Sequence, residues 1–211
     1  MLWMKQVPYT IETINLDQPR SDNFLELSHY GKVPCLVHEG KSIIESAAIN
    51  QYIEDMFPKP RLMSLDPYKR ALERILTHWC NVYFAPSMFS MLFEKPSYEN
   101  LYKEEIEFEF YEQLSYLEKW LGQGKEKEYM IDNAVGFADI ALFPFIQRLP
   151  VLEHFRDVNI DPSLYPNVVE YQNLLSTVEG FMEVQVPVDE LIKEYEPYIN
   201  GKSTLKPIWK P

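Results

Sequence analysis

The stretch Gly31–Ile53, GKVPCLVHEGKSIIESAAINQYI, constrains the fold more than any other part of the chain. Lys32–Val37 is a strand-prone run interrupted by Pro34, Glu39–Gly40 has hairpin-turn chemistry, and Ser42–Ile44 is a second short strand. Ala47, Ala48, Ile49, Tyr52 and Ile53 then return on one face of a helix that starts near Glu45–Ser46. A proline inside a strand removes a ladder donor, so Val33–Pro34 belongs where the strand edge meets something other than a neighbouring strand. That leaves the Val33 N–H and C=O free to pair with an extended peptide. The open N–H groups at the helix start, beside a carboxylate and a hydroxyl, favour anions by roughly 0.3–1 kcal/mol. A free strand edge next to such a helix end suits a small peptide that carries a carboxylate.

The order of these parts carries a resemblance. Val33-Pro34, then Glu45-Ser46, then a helix ending in Tyr52-Ile53-Glu54, then Phe57-Pro58-Lys59-Pro60 and a long helical remainder resemble the glutathione transferase superfamily. The likeness covers nearly the whole chain and has the flavour of omega-class transferases and of stringent starvation protein A. It implies a thioredoxin-like α/β N-terminal domain joined to an all-α C-terminal domain. It also implies glutathione as co-substrate: Val33, ahead of a cis Pro34, would hold the peptide backbone, and Glu45 and Ser46 would hold the γ-glutamyl end. The implied activity is glutathione-dependent transfer, or thiol reduction, on a small electrophile or disulfide. A homodimer is the assembly that goes with it. The alternative on the same fold is a non-catalytic binding protein whose partner is another protein, such as RNA polymerase.

The catalytic residue is unassigned. In the resembled family it lies between a first strand and helix that precede the strand corresponding to Val7–Leu16. Only Met1–Gln6 stands before that strand here, enough for the last turns of such a helix. The expectation is therefore an incomplete thioredoxin-like half, with two strand edges unpaired. Cys35, directly after the strand proline, reads as a small buried hydrophobe rather than a nucleophile.

Composition narrows the partners. The 211 residues carry 32 acidic against 20 basic side chains, a formal net charge of −12. Nucleic acid and anionic membranes call for basic surfaces, so neither is an expected partner. No apolar run approaches the ~20 residues of a membrane span, and Met1–Thr10 does not read as a secretory segment. Two distant cysteines, Cys35 and Cys80, fit a reducing, cytoplasmic setting. His29, His38, His78 and His154 fall in no ligand spacing, so no metal is expected.

Along the chain, Val7, Tyr9, Ile11 and Thr13 alternate with Pro8, Thr10 and Glu12, which predicts a strand over 7–16. Residues 17–23 are turn chemistry, and 24–29 a short helix. Residues 57–66 hold prolines and mark a linker, with Asp66 and Pro67 placed to cap and open a helix. That helix runs from Tyr68 toward Phe93, with a break expected at Pro86. Trp79, Tyr83, Phe84, Met88 and Phe89 read as core by spacing, whereas the resemblance makes Tyr83 and Met88 candidate walls of the electrophile pocket. Ile106, Phe110, Leu114, Leu117 and Leu121 form an apolar stripe on a helix over 98–121. Val135–Leu152 is apolar nearly all round its first half and predicts one buried central helix, with Gly136 as N-cap and Asp139 as the acid of a capping box. Further helices are expected over 166–177 and 188–195. The expected organisation is a domain over 1–57, a linker over 58–66, a helical domain over 67–200 and a proline-rich tail over 201–211.

Overall fold

The computed structural model describes residues 1–16, 18–93, 100–124 and 127–200. The expected tail over 201–211 and the first residues of the helix expected from 98 lie outside that set. The chain divides into two compact units, Met1–Met63 and Ser64–Pro211, and the boundary falls inside the proline-rich stretch.

Unit 1 contains helix α1 (Asp22–Leu27), strands β1 (Cys35–His38) and β2 (Lys41–Ile44), and helix α2 (Ser46–Met56). Ser21 starts α1 by accepting the Phe24 N–H at 3.3 Å. The strands form an antiparallel hairpin in which Cys35 pairs with Ile44 and His38 with Lys41. Its two-residue turn, Glu39–Gly40, has φ values of 50° and 73°. Positive φ at both turn positions matches the right-handed twist of the flanking strands. Ile49 and Ile53 are the apolar residues that α2 buries. Met1–Gln6 is a helical turn, with the Lys5 N–H on the Met1 carbonyl at 3.1 Å and the Gln6 N–H on that of Trp3 at 2.9 Å.

The strand expected over 7–16 does not form: the segment belongs to no sheet. Period-two alternation sets side-chain direction, but a strand is a pairing. Among the described residues no chain lies beside 7–16 to complete a ladder. Tyr9 and Ile11 in it are open, at 44% and 74% exposure, while Val7 and Ile14 are half-buried.

Unit 2 is helical: α3 (Pro67–Trp79), a π turn (Cys80–Phe84), α4 (Ala85–Phe93), α5 (Asn100–Leu121), α6 (Phe137–Ile146), α7 (Leu149–Arg156), α8 (Pro166–Ser176), α9 (Glu179–Met182) and α10 (Val188–Ile199). Asp66 caps α3, accepting the Tyr68 and Lys69 N–H groups at 2.7 and 3.3 Å. Pro86 does interrupt the helix that follows, and the structure shows how. Proline has no N–H for the Val82 carbonyl, and the chain widens so that the Ala85 N–H reaches back to Cys80. On α5, Phe110, Leu114 and Leu117 are fully buried.

The single helix expected over 135–152 is two helices, α6 and α7, parted at Gln147–Arg148. Pro150 is the physical reason. It offers no N–H to the Ile146 carbonyl, and its ring opposes continuation, so it sits instead in the first turn of α7. Asp139 is buried at the start of α6. Its Oδ2 accepts the Gly136 N–H at 2.8 Å, and its Oδ1 accepts the Met130 N–H at 3.0 Å and the Tyr171 hydroxyl at 2.6 Å.

Candidate functional site

The hairpin register gathers the predicted binding residues. Because Cys35 pairs with Ile44, the residues just beyond the ladder, Val33–Pro34 on one strand and Glu45–Ser46 on the other, leave it at the same end. The Val33–Pro34 peptide is cis. Neither the Val33 N–H nor its C=O takes a hydrogen bond among the described residues, and the residue is 46% exposed. Pro34, Glu45 and Ser46 are exposed as well. The hairpin thus ends in an open peptide edge facing the entry to a helix.

The local backbone at Glu45 is unusual. Its φ of 68° and ψ of 116° lie where residues with a Cβ are disfavoured, at a cost on the order of 1–3 kcal/mol. Held there, Glu45 is the N-cap of α2, and no side chain caps the helix. The first N–H groups of α2 therefore remain open beside the Glu45 carboxylate and the Ser46 hydroxyl. Together they present a carboxylate for a cation and a hydroxyl with helix-terminal N–H groups for an anion. The Val33 peptide adds one donor and one acceptor for an extended backbone.

Cys35 opens β1 beside this site. Its thiol lies 3.6 Å from the Leu27 carbonyl, and partial burial pushes its pKa up, away from the thiolate. In unit 2, burial pushes the Cys80 thiol strongly up as well. Among the described residues no group of His, Cys, Asp or Glu could hold a metal ion.

The two residues offered as pocket walls differ. Tyr83 is 52% exposed on the π turn, with its ring edge-on to His78. Met88 has no accessible surface; it lies in the helical core of unit 2, so its side chain walls no open pocket. Tyr83 sits five positions before Met88, which on an α-helix is about 140° round the axis, so the two do not share a face. Trp79 also belongs to the core, its indole N–H on Gln113 at 2.8 Å and its ring against Phe84 and Tyr116.

A buried ion pair that sequence reasoning did not single out braces unit 1. The Lys5 side chain is fully buried against the Glu54 carboxylate and donates to the Pro60 carbonyl at 2.6 Å. Glu54 also accepts the Leu62 and Met63 N–H groups, at 3.2 Å each. A charged residue in the last turn of an amphipathic helix normally reads as solvated, and no spacing links Lys5 to Glu54.

Residues 1–61 match the family described as glutathione S-transferase, N-terminal domain, and residues 83–176 match its C-terminal domain. The chain belongs to the glutathione S-transferase family. A probable glutathione S-transferase of Nicotiana tabacum is 32% identical over 194 residues, covering 90% of this chain and 82% of that protein. A tau-class glutathione S-transferase from mango, Mangifera indica, superposes with a TM-score of 0.84 at 23% identity, over 93% of this chain and 90% of the other. A rice glutathione S-transferase, solved in complex with glutathione, gives 0.82 at 20% identity, over 94% and 90%. The architecture is that of the family: a small N-terminal unit with two antiparallel strands and a helical C-terminal unit. Among the described residues no helix is long and apolar enough to cross a membrane.

Proposed function

We propose that this glutathione S-transferase binds glutathione at the Val33–Pro34 and Glu45–Ser46 end of the hairpin. In this reading the Val33 N–H and C=O pair with the peptide backbone of the ligand. Glu45 takes the ammonium of the γ-glutamyl end, while Ser46 and the open N–H groups of α2 take its carboxylate. The observation that carries the reading is the uncapped start of α2 at a strained Glu45, on the same hairpin end as the unpaired Val33 peptide.

The reaction that follows is glutathione-dependent transfer, or thiol reduction, on a small electrophilic or oxidised substrate. Glutathione brings the nucleophilic sulfur. The chain's groups hold the peptide so that the sulfur is presented in one place, which converts an encounter of two solutes into reaction within a complex. Two copies of the chain form the working assembly in this reading.

Calorimetric titration of the 211-residue chain with glutathione tests it. Loss of a hydrogen bond to a charged group weakens binding by about 1.5–3 kcal/mol, so Ser46→Ala should raise Kd about tenfold or more. Unchanged affinity in both Ser46→Ala and Glu45→Ala would remove the site.

A further inference from the structure

The Val33 peptide has no ladder to hold it. Pairing in the hairpin begins two residues later, at Cys35 with Ile44, and Pro34 between them carries no N–H. A peptide edge left that free would have to be ordered by its ligand, and the ordering would cost affinity.

Two side chains fix the residues just before it. Arg20 Nε donates to the Gly31 carbonyl at 3.0 Å, and the Ser28 hydroxyl donates to the Lys32 carbonyl at 2.9 Å. Ser28 has no accessible surface, and its own carbonyl accepts the Gly31 N–H at 2.7 Å. Arg20 directly precedes Ser21, the N-cap of α1, and Ser28 is the C-cap, so this short helix carries one anchor at each end. The anchors converge on the carbonyls of consecutive residues, and the next peptide along is the free one.

The arginine is itself tightly placed. Gly31 has a φ of 62°, and a Cβ there would lie 3.1 Å from Arg20 Cγ and 3.3 Å from Leu25 Cδ2. Glycine is the residue that accepts both this backbone conformation and this approach. Arg20 Nη1 donates to the Gln18 carbonyl at 2.8 Å and to the Asn15 and Leu16 carbonyls at 3.2 Å each. Arg20 forms no ion pair among the described residues, so its rigid fork of donors is spent on backbone acceptors.

We infer that Arg20 and Ser28 are positioning residues for the Val33 peptide. By holding the Gly31 and Lys32 carbonyls, they set the direction in which the Val33 N–H and C=O meet an extended ligand, and neither side chain touches that ligand. The ligand's identity rests on the glutathione reading; the fixing of the peptide edge does not.

The test uses the full chain and two variants, each removing one anchor. Arg20→Met keeps the stem and loses the donors, and Ser28→Ala loses the hydroxyl. Both are titrated by calorimetry with glutathione and with glutathione methylated on its cysteinyl amide nitrogen, which cannot donate to the Val33 C=O. In the parent chain methylation should weaken binding roughly fivefold, the worth of one hydrogen bond. In each variant glutathione should bind roughly fivefold more weakly, and the two ligands should come within about twofold of one another. A merely structural loss, or a direct contact of Arg20 with the ligand, would weaken both ligands by one factor and keep the gap between them. Ser46→Ala, acting at the other end of the ligand, is the control for that second pattern. A ligand-free measurement runs beside it: the nitrogen-15 heteronuclear NOE of the Val33 amide should fall in both variants, while those of Leu36 and Ile43, paired within the hairpin, stay high. If the parent chain binds no glutathione, the glutathione reading falls and the Val33 relaxation alone decides the positioning role. An unchanged Val33 NOE in both variants, or a methylation gap as wide in them as in the parent chain, would overturn the inference.

Discussion

Lys5 and Glu54 form an ion pair closed to solvent, the lysine side chain with no exposed surface and the glutamate with 5%. The pair holds the N-terminal turn, the last turn of α2 and the residues after Pro60 on one buried carboxylate. Removing one partner leaves the other charged, buried and uncompensated, which typically costs about 3–5 kcal/mol. Glu54→Ala should therefore destabilise unit 1 by an amount in that range. Hydrogen exchange reads it directly, because the Leu62 and Met63 amides lose their acceptor and should lose protection. Replacing both partners with Lys5→Met and Glu54→Leu should recover much of the loss. Protection at Leu62 and Met63 unchanged in Glu54→Ala would contradict this account.

Asp139 joins three donors from separate stretches of unit 2. An exposed N-cap acid is worth about 0.5–2 kcal/mol. Here Asp139→Ala also strands the Met130 N–H and the Tyr171 hydroxyl, each at about 1–3 kcal/mol when buried. The loss should exceed that of a simple cap. Tyr171→Phe, which removes one hydrogen bond and leaves the others, should cost only about 1 kcal/mol. A denaturation midpoint that moves equally in both variants would show that the carboxylate does not act as the hub.

The same residue sets a pH dependence. Burial raises the folded-state pKa of Asp139 above the ordinary carboxylate value, against the pull of Tyr171 and the Met130 and Gly136 N–H groups. A carboxyl raised on folding contributes stability that is complete below its unfolded pKa and is lost as pH rises through the folded value. Asp139→Asn cannot ionise. Its stability relative to the parent chain should therefore improve from acid toward neutral pH, as followed by urea midpoints. A difference that is flat in pH, or that runs the other way, would show that the three donors outweigh burial.

What the sequence made legible was local. The Asp66–Pro67 start of α3, the Glu39–Gly40 turn and the apolar stripe of α5 each depend on residues within one turn or one helix face, and each is where the spacing put it. The hairpin end of the candidate site was readable for the same reason, since Val33–Pro34 and Glu45–Ser46 are joined by one short hairpin. Two of the misses needed partners distant in sequence. Residues 7–16 have strand alternation and no neighbour to pair with. Lys5 and Glu54 meet across 49 positions with no periodicity to link them. The split between α6 and α7 was in principle readable from Pro150, but the apolar run across it masked the signal. Tyr83 and Met88 read alike in the sequence, yet Tyr83 is 52% exposed and Met88 is fully buried.

The two cysteines should separate cleanly in chemical labelling. Cys80 is 1% exposed and its thiol is driven strongly toward the protonated form. It should stay unmodified by a disulfide reagent until the chain unfolds. Cys35 is reachable but its pKa is raised, and the thiolate is the reactive species. Its labelling rate should keep climbing with pH beyond the point where that of a free cysteine levels off. Fast labelling of Cys35 at neutral pH would show an activated thiolate.

That behaviour bears on how turnover should respond at the proposed glutathione site. Glutathione's own thiol has a pKa near ~8.5, so only a few per cent is ionised at neutral pH, and an enzyme of this family gains rate by favouring the thiolate. Cys35 is poorly suited to supply a thiolate of its own, given the burial that raises it. Cys35→Ser should therefore leave turnover of a chloronitrobenzene electrophile and of a mixed disulfide within about twofold of the parent chain. In the proposed reading, Ser46→Ala and Glu45→Ala remove ground-state contacts to the ligand. They should raise the KM for glutathione about tenfold or more with little change in kcat. Loss of disulfide turnover in Cys35→Ser with glutathione affinity intact would make Cys35 the nucleophile. A fall in kcat at constant KM in Ser46→Ala would assign Ser46 a role in activating the sulfur rather than in holding the γ-glutamyl end.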